Sequence, residues 1–169
     1  MGAVVVSVLT GCTHGSASAG AGAAPSPTYL GPPRTVRPSE TPLATATVVG
    51  DPFTVSVIGL RAHQRFLVGT HADIAPRGEF VRLRVAVQND SRTFASATLA
   101  DMRLVTVDGT AHRPDSQAMA IKRQPETIDL GSLNRVEFDL WYDIPAGSRL
   151  RLLRLTGFDP VQEILLPPT

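Results

Sequence analysis

The sequence predicts an all-β domain over residues 47–169, built as an antiparallel β-sandwich of seven to eight short strands. Two stretches alternate apolar and polar side chains for nine residues, which is typical of a strand with one buried and one wet face. Gly and Pro occur 14 times each, and charged residues make up only 18% of the chain, below the roughly 25% of an average soluble domain. No stretch keeps a helical period over three turns, so the sequence argues against a helical bundle.

The two alternating stretches are residues 80–88 and 136–144. In the first, four aliphatic side chains share one face, while Arg82 and Arg84 lie on the other. In the second, Trp141 falls on the face opposite the apolar set, which consists of Val136, Phe138, Leu140, Tyr142 and Ile144. Both stretches therefore predict antiparallel strands that bury one face in the core.

Shorter runs predict the remaining strands and the turns between them. The runs with strand character are residues 53–57, 102–107, 118–122, 150–155 and 163–166. Asp108-Gly109 and the Pro-Ala-Gly sequence at 145–147 are typical of turns. Leu152 and Leu153 are adjacent and break the alternation, so we expect either a bulge or a strand buried on both faces at that point.

The first residues have the pattern of an export signal. Residues 1–9 form an apolar run that is too short to span a bilayer but fits the apolar region of a signal peptide. Leu9-Thr10-Gly11-Cys12 resembles the lipobox of bacterial lipoproteins, so we expect cleavage before Cys12 and acylation of its thiol. No Lys or Arg precedes Cys12, and we therefore expect the signal peptide (1–11) to be truncated at its start. The alternative is that Cys12 follows an apolar run by coincidence, or is a buried strand thiol.

Residues 12–46 differ sharply in composition from the C-terminal three quarters of the chain. The first part is rich in Ala, Gly and Ser, and six prolines lie between Pro25 and Pro42. Such a segment has too few apolar side chains to offset the entropy of ordering it. We therefore predict a flexible tether between the lipidated cysteine and the domain.

Four stretches together resemble a known domain family. They are Phe53–Val57 with its Phe-Thr-Val-Ser-Val sequence, residues 78–89, residues 102–109 and residues 138–145. These are similar to the immunoglobulin-like domain of unknown function found on lipoproteins of actinobacteria and firmicutes, which is related in architecture to small secreted mycobacterial sandwich antigens. The resemblance implies an immunoglobulin-like sandwich. It carries no catalytic or ligand-binding residues to this chain.

The residues that could carry chemistry form no recognisable catalytic set. The chain contains no zinc-protease helix motif, P-loop or nucleophile elbow, and its single cysteine excludes an intramolecular disulfide. His63, His71 and Asp73 share one loop, but no two histidines have ligand spacing, so we interpret them as solvated loop residues. We predict no enzyme activity, no catalytic residue, no metal and no cofactor.

Charge and aromatic content nevertheless mark one candidate interaction face. Arg82 and Arg84 share a face that would pair with Glu137 and Asp139 if the two strands are neighbours. Trp141 is predicted to lie on that outer face, either as an exposed anchor for a partner or covered by the 61–78 loop. The formal net charge of +1 gives no strong field for a nucleic acid.

The sequence thus predicts a lipoprotein on the extracytoplasmic face of the cell membrane, anchored through Cys12. Its sandwich is expected to act as a non-catalytic binding or scaffold module, with an envelope protein as a possible partner and Trp141, Arg82 and Arg84 as the candidate interface. The alternative is a carrier of a metal or a small ligand that uses the 61–78 loop. An envelope enzyme is the third hypothesis, and no nucleophile can be named for it.

Overall fold

A computed structural model describes residues 37–43, 47–69 and 73–169. The predictions for the signal peptide, for Cys12 and for most of the tether lie outside these residues. The described residues form strands β1 to β11, a 3-10 helix at Leu99–Asp101 and one short helix, α1. Their bounds are β1 Thr41–Pro42, β2 Thr47–Val49, β3 Phe53–Gln64, β4 Glu79–Asn89, β5 Ala95–Thr98, β6 Met102–Thr106, β7 Ala111–His112, α1 Ser116–Ile121, β8 Thr127–Leu130, β9 Arg135–Ile144, β10 Leu150–Leu155 and β11 Gln162–Leu165.

The strands form antiparallel sheets that pack face to face. A five-stranded sheet has the order β1-β3-β4-β9, with β2 also pairing with β3. A four-stranded sheet has the order β11-β10-β6-β7, and β5 and β8 form a separate pair. Because the two larger sheets contribute side chains to one hydrophobic core, the fold is an all-β sandwich, as the sequence predicts.

One hydrophobic core lies between the two larger sheets. The register of β4 and β9 places Leu83 opposite Leu140 and Val81 opposite Tyr142 on the inner face, and all four side chains are buried. The Tyr142 hydroxyl donates to the carbonyl of Met102 at 2.9 Å, which joins β9 to β6 across the core. Among these four side chains the one polar group therefore has its hydrogen bond.

The strongest sequence predictions are confirmed. The stretches 80–88 and 136–144 form β4 and β9, which are neighbours. The predicted turns are present, with positive φ angles of 89° at Gly109 and 77° at Gly147. The register shifts between Leu150 and Leu152, and Leu152 and Leu153 are both buried, so β10 has both features expected there.

The strand predicted for residues 118–122 is wrong, since α1 occupies this segment. Pro114 and Asp115 precede the helix, and the Asp115 carboxylate accepts a hydrogen bond from the Ala118 amide at 2.8 Å, which is the contact of an N-cap. The Ala-Met-Ala sequence at 118–120 favours helix, while Ala118 and Met119 are buried. An apolar run of four residues does not distinguish strand from helix by its period.

Strand structure is also present before Thr47, where we predicted the domain to start. Strand β1 lies within the predicted tether and pairs with β3, with Thr41 opposite Leu60. Residues 37–43, called the strap below, cross the outer face of the five-stranded sheet. Short strands of two to four residues, such as β1 and β2, also explain why the described residues hold eleven strands and not seven or eight.

No helix in the described part of the chain combines the length and the apolar character needed to cross a membrane.

Candidate functional site

The outer face of the five-stranded sheet carries charged side chains from β4 and β9 and is crossed by the strap. Arg84 lies directly opposite Asp139, and Arg82 lies directly opposite Trp141. The residues predicted as a candidate interface therefore do share one face, and their strands are neighbours. The partners of the charged groups, however, come largely from the strap.

The strap is fastened to this face at its first residue. Arg37 binds the Asp139 carboxylate through Nη1, at 2.7 and 3.0 Å from its two oxygens. The Arg37 amide donates to Glu40 Oε2 at 3.1 Å, and the Glu40 amide donates to the Arg37 carbonyl at 3.2 Å. This turn includes Ser39 at a positive φ of 62°, and it directs the Glu40 side chain onto the sheet.

Glu40 holds both arginines of β4. Its side chain is completely buried, and Arg84 reaches it with Nη2 at 3.0 Å from Oε2 and with Nε donating to Oε1 at 3.2 Å. Arg82 Nη2 lies 3.4 Å from Oε1, at ion-pair distance but without hydrogen-bond geometry. A buried carboxylate between two guanidinium groups satisfies the requirement that charges taken out of water be paired.

Gly59 on β3 provides the space for this carboxylate. A Cβ placed on Gly59 would lie 2.0 Å from Glu40 Oε1 and 2.2 Å from its carboxyl carbon. No side chain can therefore occupy position 59 while Glu40 remains where it is. The glycine is required by the close approach of the strap and not by its own backbone conformation.

Burial dominates the electrostatics of Arg82. Loss of solvent lowers the pKa of Arg82, while the nearby carboxylates of Asp139 and Glu40 raise it and the guanidinium groups of Arg37 and Arg61 lower it further. Arg82 remains protonated at neutral pH because its ordinary value is far above 7. The face thus holds fixed positive charge, and its nearest carboxylates are already engaged with arginines.

Trp141 lies on the outer face, as its parity predicts, but it is only 5% exposed. Phe80 packs edge-on against it, with ring centroids 6.2 Å apart. The Arg82 guanidinium carbon and the Lys122 ammonium lie 5.9 and 5.8 Å from its ring centroid, within the range of a cation–π contact. Trp141 is therefore not an exposed anchor. Its ring contacts come from Phe80, Arg82 and Lys122. The loop predicted for residues 61–78 is wrong at its start, since residues 61–64 belong to β3.

A groove of about 540 Å³ opens beside Trp141. One wall is formed by residues 61–68, and the floor by Arg82 and Trp141. Lys122 and Asp139 complete the lining. The Lys122 ammonium donates to the Val68 carbonyl at 2.5 Å, so the end of α1 holds the wall in place.

The residues considered for a metal site are not brought together by the described structure. His63 contacts Glu79, with Nδ1 3.0 Å from both carboxylate oxygens. Asp73 is exposed, and His71 lies outside the described residues. Within the ranges described, no three His, Cys, Asp or Glu side chains come close enough to hold a metal ion.

Sequence reasoning missed Glu40, Lys122 and Phe66 as members of this face. Glu40 was assigned to the tether, and Lys122 to a strand. Phe66 is exposed beside Arg65, and large apolar side chains at the surface often mark interaction sites, but its exposure is known only from the structure.

Comparisons with known proteins bear on the fold. No model of a known protein family matches the chain, and no curated protein matches it. Among solved structures, a conserved hypothetical protein from Bacillus anthracis has a TM-score of 0.54 at 14% identity, covering 74% of this chain and 95% of that one. The yjhA protein from Bacillus subtilis has a TM-score of 0.53 at 16% identity, covering 75% and 100%. The secreted protein MPT63 from Mycobacterium tuberculosis has a TM-score of 0.43 at 14% identity, covering 69% and 83%. The two Bacillus likenesses show a shared fold.

Proposed function

We propose that this chain is a lipoprotein of the cell envelope, anchored on the extracytoplasmic face of the membrane through Cys12. The observation that carries the anchoring is the Leu9-Thr10-Gly11-Cys12 sequence directly after an apolar run. Acyl chains on Cys12 would give stable attachment, since two chains hold a protein on a bilayer where one chain does so only marginally. The segment rich in Ala, Gly, Ser and Pro then leads to the strap.

Metabolic labelling with a palmitate analogue tests the anchoring. We expect the protein expressed from its own gene to incorporate label and to fractionate with membranes, and we expect Cys12→Ser to abolish incorporation and release the protein. Thr10→Ser is the matched control, because it keeps a small residue in the box and should leave labelling unchanged. Label retained by Cys12→Ser, or unprocessed wild-type chain in the cytosol, would contradict the anchoring.

The sandwich itself is proposed to bind or to act as a scaffold without catalysing a reaction. The charged groups of its outer face support this, because Glu40, Arg84 and Arg37 are held in ion pairs that fix the strap to the sheet. Such groups position a surface and are not poised to transfer protons. The possible partner is an envelope protein that contacts this face.

The alternative function, a small-ligand carrier that uses the 61–78 loop, is favoured by one observation. The groove beside Trp141 is lined by residues 61–68, which are the end of β3 and the loop that follows it, and its volume of about 540 Å³ falls within the range of small-molecule sites. Native mass spectrometry of protein released from its own membranes distinguishes the two roles. A stoichiometric small-molecule adduct would support the carrier, and its absence would favour the protein-binding module.

A further inference from the structure

The groove beside Trp141 is strongly positive for a protein of net charge +1. Arg61, Arg65, Arg82 and Lys122 line it, and Asp139 is the one carboxylate in the lining. Asp139 is engaged by Arg37, while Arg61 and Arg65 form no ion pair with any described residue and are exposed. A concave surface lined by unneutralised cations attracts anions of small size.

One wall of the same groove is apolar. Phe66 is 57% exposed and Val68 is 58% exposed, and both line the groove. Between them, Leu67 is buried and exchanges two backbone hydrogen bonds with Ile74, at 2.8 and 2.9 Å. Because these two hydrogen bonds fix the backbone at Leu67, the neighbouring side chains of Phe66 and Val68 are held at the surface.

The floor contains hydrogen-bond donors without acceptors. Trp141 Nε1 and Arg82 Nε are buried, and neither donates to any described residue. Buried donors are nearly always paired in folded proteins, and the exceptions tend to lie at functional places. Arg82 and Trp141 are paired directly on β4 and β9, so both donors lie beneath the same groove.

We propose that the groove binds a small amphipathic anion, with a carboxylate or phosphate group near Arg61 and Arg65 and a hydrocarbon chain or ring against Phe66 and Val68. The volume admits a molecule of about drug size, and the groove's mixed lining favours a ligand with one charged and one apolar end. This inference rests on the small-ligand form of the proposed function and names its ligand class.

Trp141 provides a reporter that is specific for the groove, because the chain has one tryptophan. Decanoate, kept below its micelle concentration, is titrated into the purified full chain while Trp141 emission and heat of binding are recorded. We expect saturable binding with a change in emission, binding of decanol at least tenfold weaker, and no binding of acetate. Affinity for decanoate should fall with added salt.

Two substitutions with matched controls locate the site. Arg61→Gln and Phe66→Ser remove one charge and one apolar group without touching a buried contact, and each should weaken decanoate binding about tenfold. Arg151→Gln on β10 and Phe94→Ser, an exposed phenylalanine near the opposite end of β4, should leave it unchanged. Thermal denaturation of all four variants confirms that they fold.

Several results would overturn the proposal. They are equal binding of decanol and decanoate, binding of decanoate without a change in Trp141 emission, and equal effects of Arg61→Gln and Arg151→Gln. A further measurement offers the protein vesicles with and without phosphatidylglycerol in place of decanoate. Binding only to vesicles that contain phosphatidylglycerol, with none to decanoate, would also overturn the proposal. That result would assign the charge to a membrane surface. Because none of these measurements involves Cys12, failure here leaves the palmitate result, and with it the anchoring, unaffected.

Discussion

The contact between Glu40 and Gly59 allows a sharp test of how the strap is held. Glu40→Ala removes the carboxylate that two buried guanidinium groups share, and breaking such a pair costs about 3–5 kcal/mol. We expect the lower end, about 3 kcal/mol, because Glu137 Oε2 lies 4.0 Å from Arg84 Nη1 and retains part of the compensation. For a domain of this size that loss lowers the melting temperature by about 10 °C.

Gly59→Ala should produce nearly the same loss by a different route. Its Cβ would overlap the Glu40 carboxylate at 2.0 Å, so the side chain must leave the arginines. In the Glu40→Ala background the three atoms nearest to that Cβ, which are Oε1, the carboxyl carbon and Cγ of Glu40, are gone. There Gly59→Ala should be neutral, or stabilising by about 0.5 kcal/mol, since alanine loses less backbone entropy than glycine in a strand.

The measurement is a double-mutant cycle from urea denaturation of the purified full chain. If the reasoning holds, the double variant is about as stable as either single variant, and the coupling free energy is about 3 kcal/mol. Additive losses, with a double variant about 6 kcal/mol less stable than the wild type, would refute it. They would mean that Gly59 is needed for a reason other than Glu40.

Two further predictions concern the C-terminal end of β9. Tyr142→Phe leaves the buried carbonyl of Met102 without the hydrogen bond from the Tyr142 hydroxyl. We expect the free energy of unfolding to fall by about 1–3 kcal/mol. A loss below about 0.5 kcal/mol in urea denaturation would contradict this. Burial alone would raise the pKa of Asp143, but the amides of Arg77 and Gly78 and the Arg77 guanidinium hold it below its ordinary value. The folded pKa is thus lower than the unfolded one, so the wild type should lose stability as pH falls below about 4. Asp143→Asn should show a smaller loss over that range, and parallel profiles would count against the assignment.

The sequence reveals those parts of the fold whose cause is local. In β4 and β9 the alternation of side chains determines which residues face the core, and the predicted inner faces are those observed. The turns at Gly109 and Gly147 follow from a backbone conformation that few other residues adopt. These features need no knowledge of distant residues, and they were predicted correctly.

The helix α1 and the strap are the parts of the fold that the sequence predictions miss, for two different reasons. The helix α1 was assigned to a strand because its six residues are too few to show a period, although Asp115 at its N-cap was a local signal. The strap was assigned to the tether because its composition is that of a linker. Its order comes from a residue 44 positions away, since Glu40 is held by Arg84.

The strap also changes how the charged face is to be interpreted. Alternation places Arg82 and Arg84 on the wet side of β4, and a wet arginine pair suggests an interaction surface. Glu40 binds Arg84 and lies at ion-pair distance from Arg82, so these guanidinium groups fasten the chain to its own sheet. The positive charge that remains accessible lies beyond the strap, at Arg61 and Arg65, beside the exposed Phe66. A ligand or partner of this face would therefore meet the groove, and binding there need not disturb the ion pairs that hold the strap.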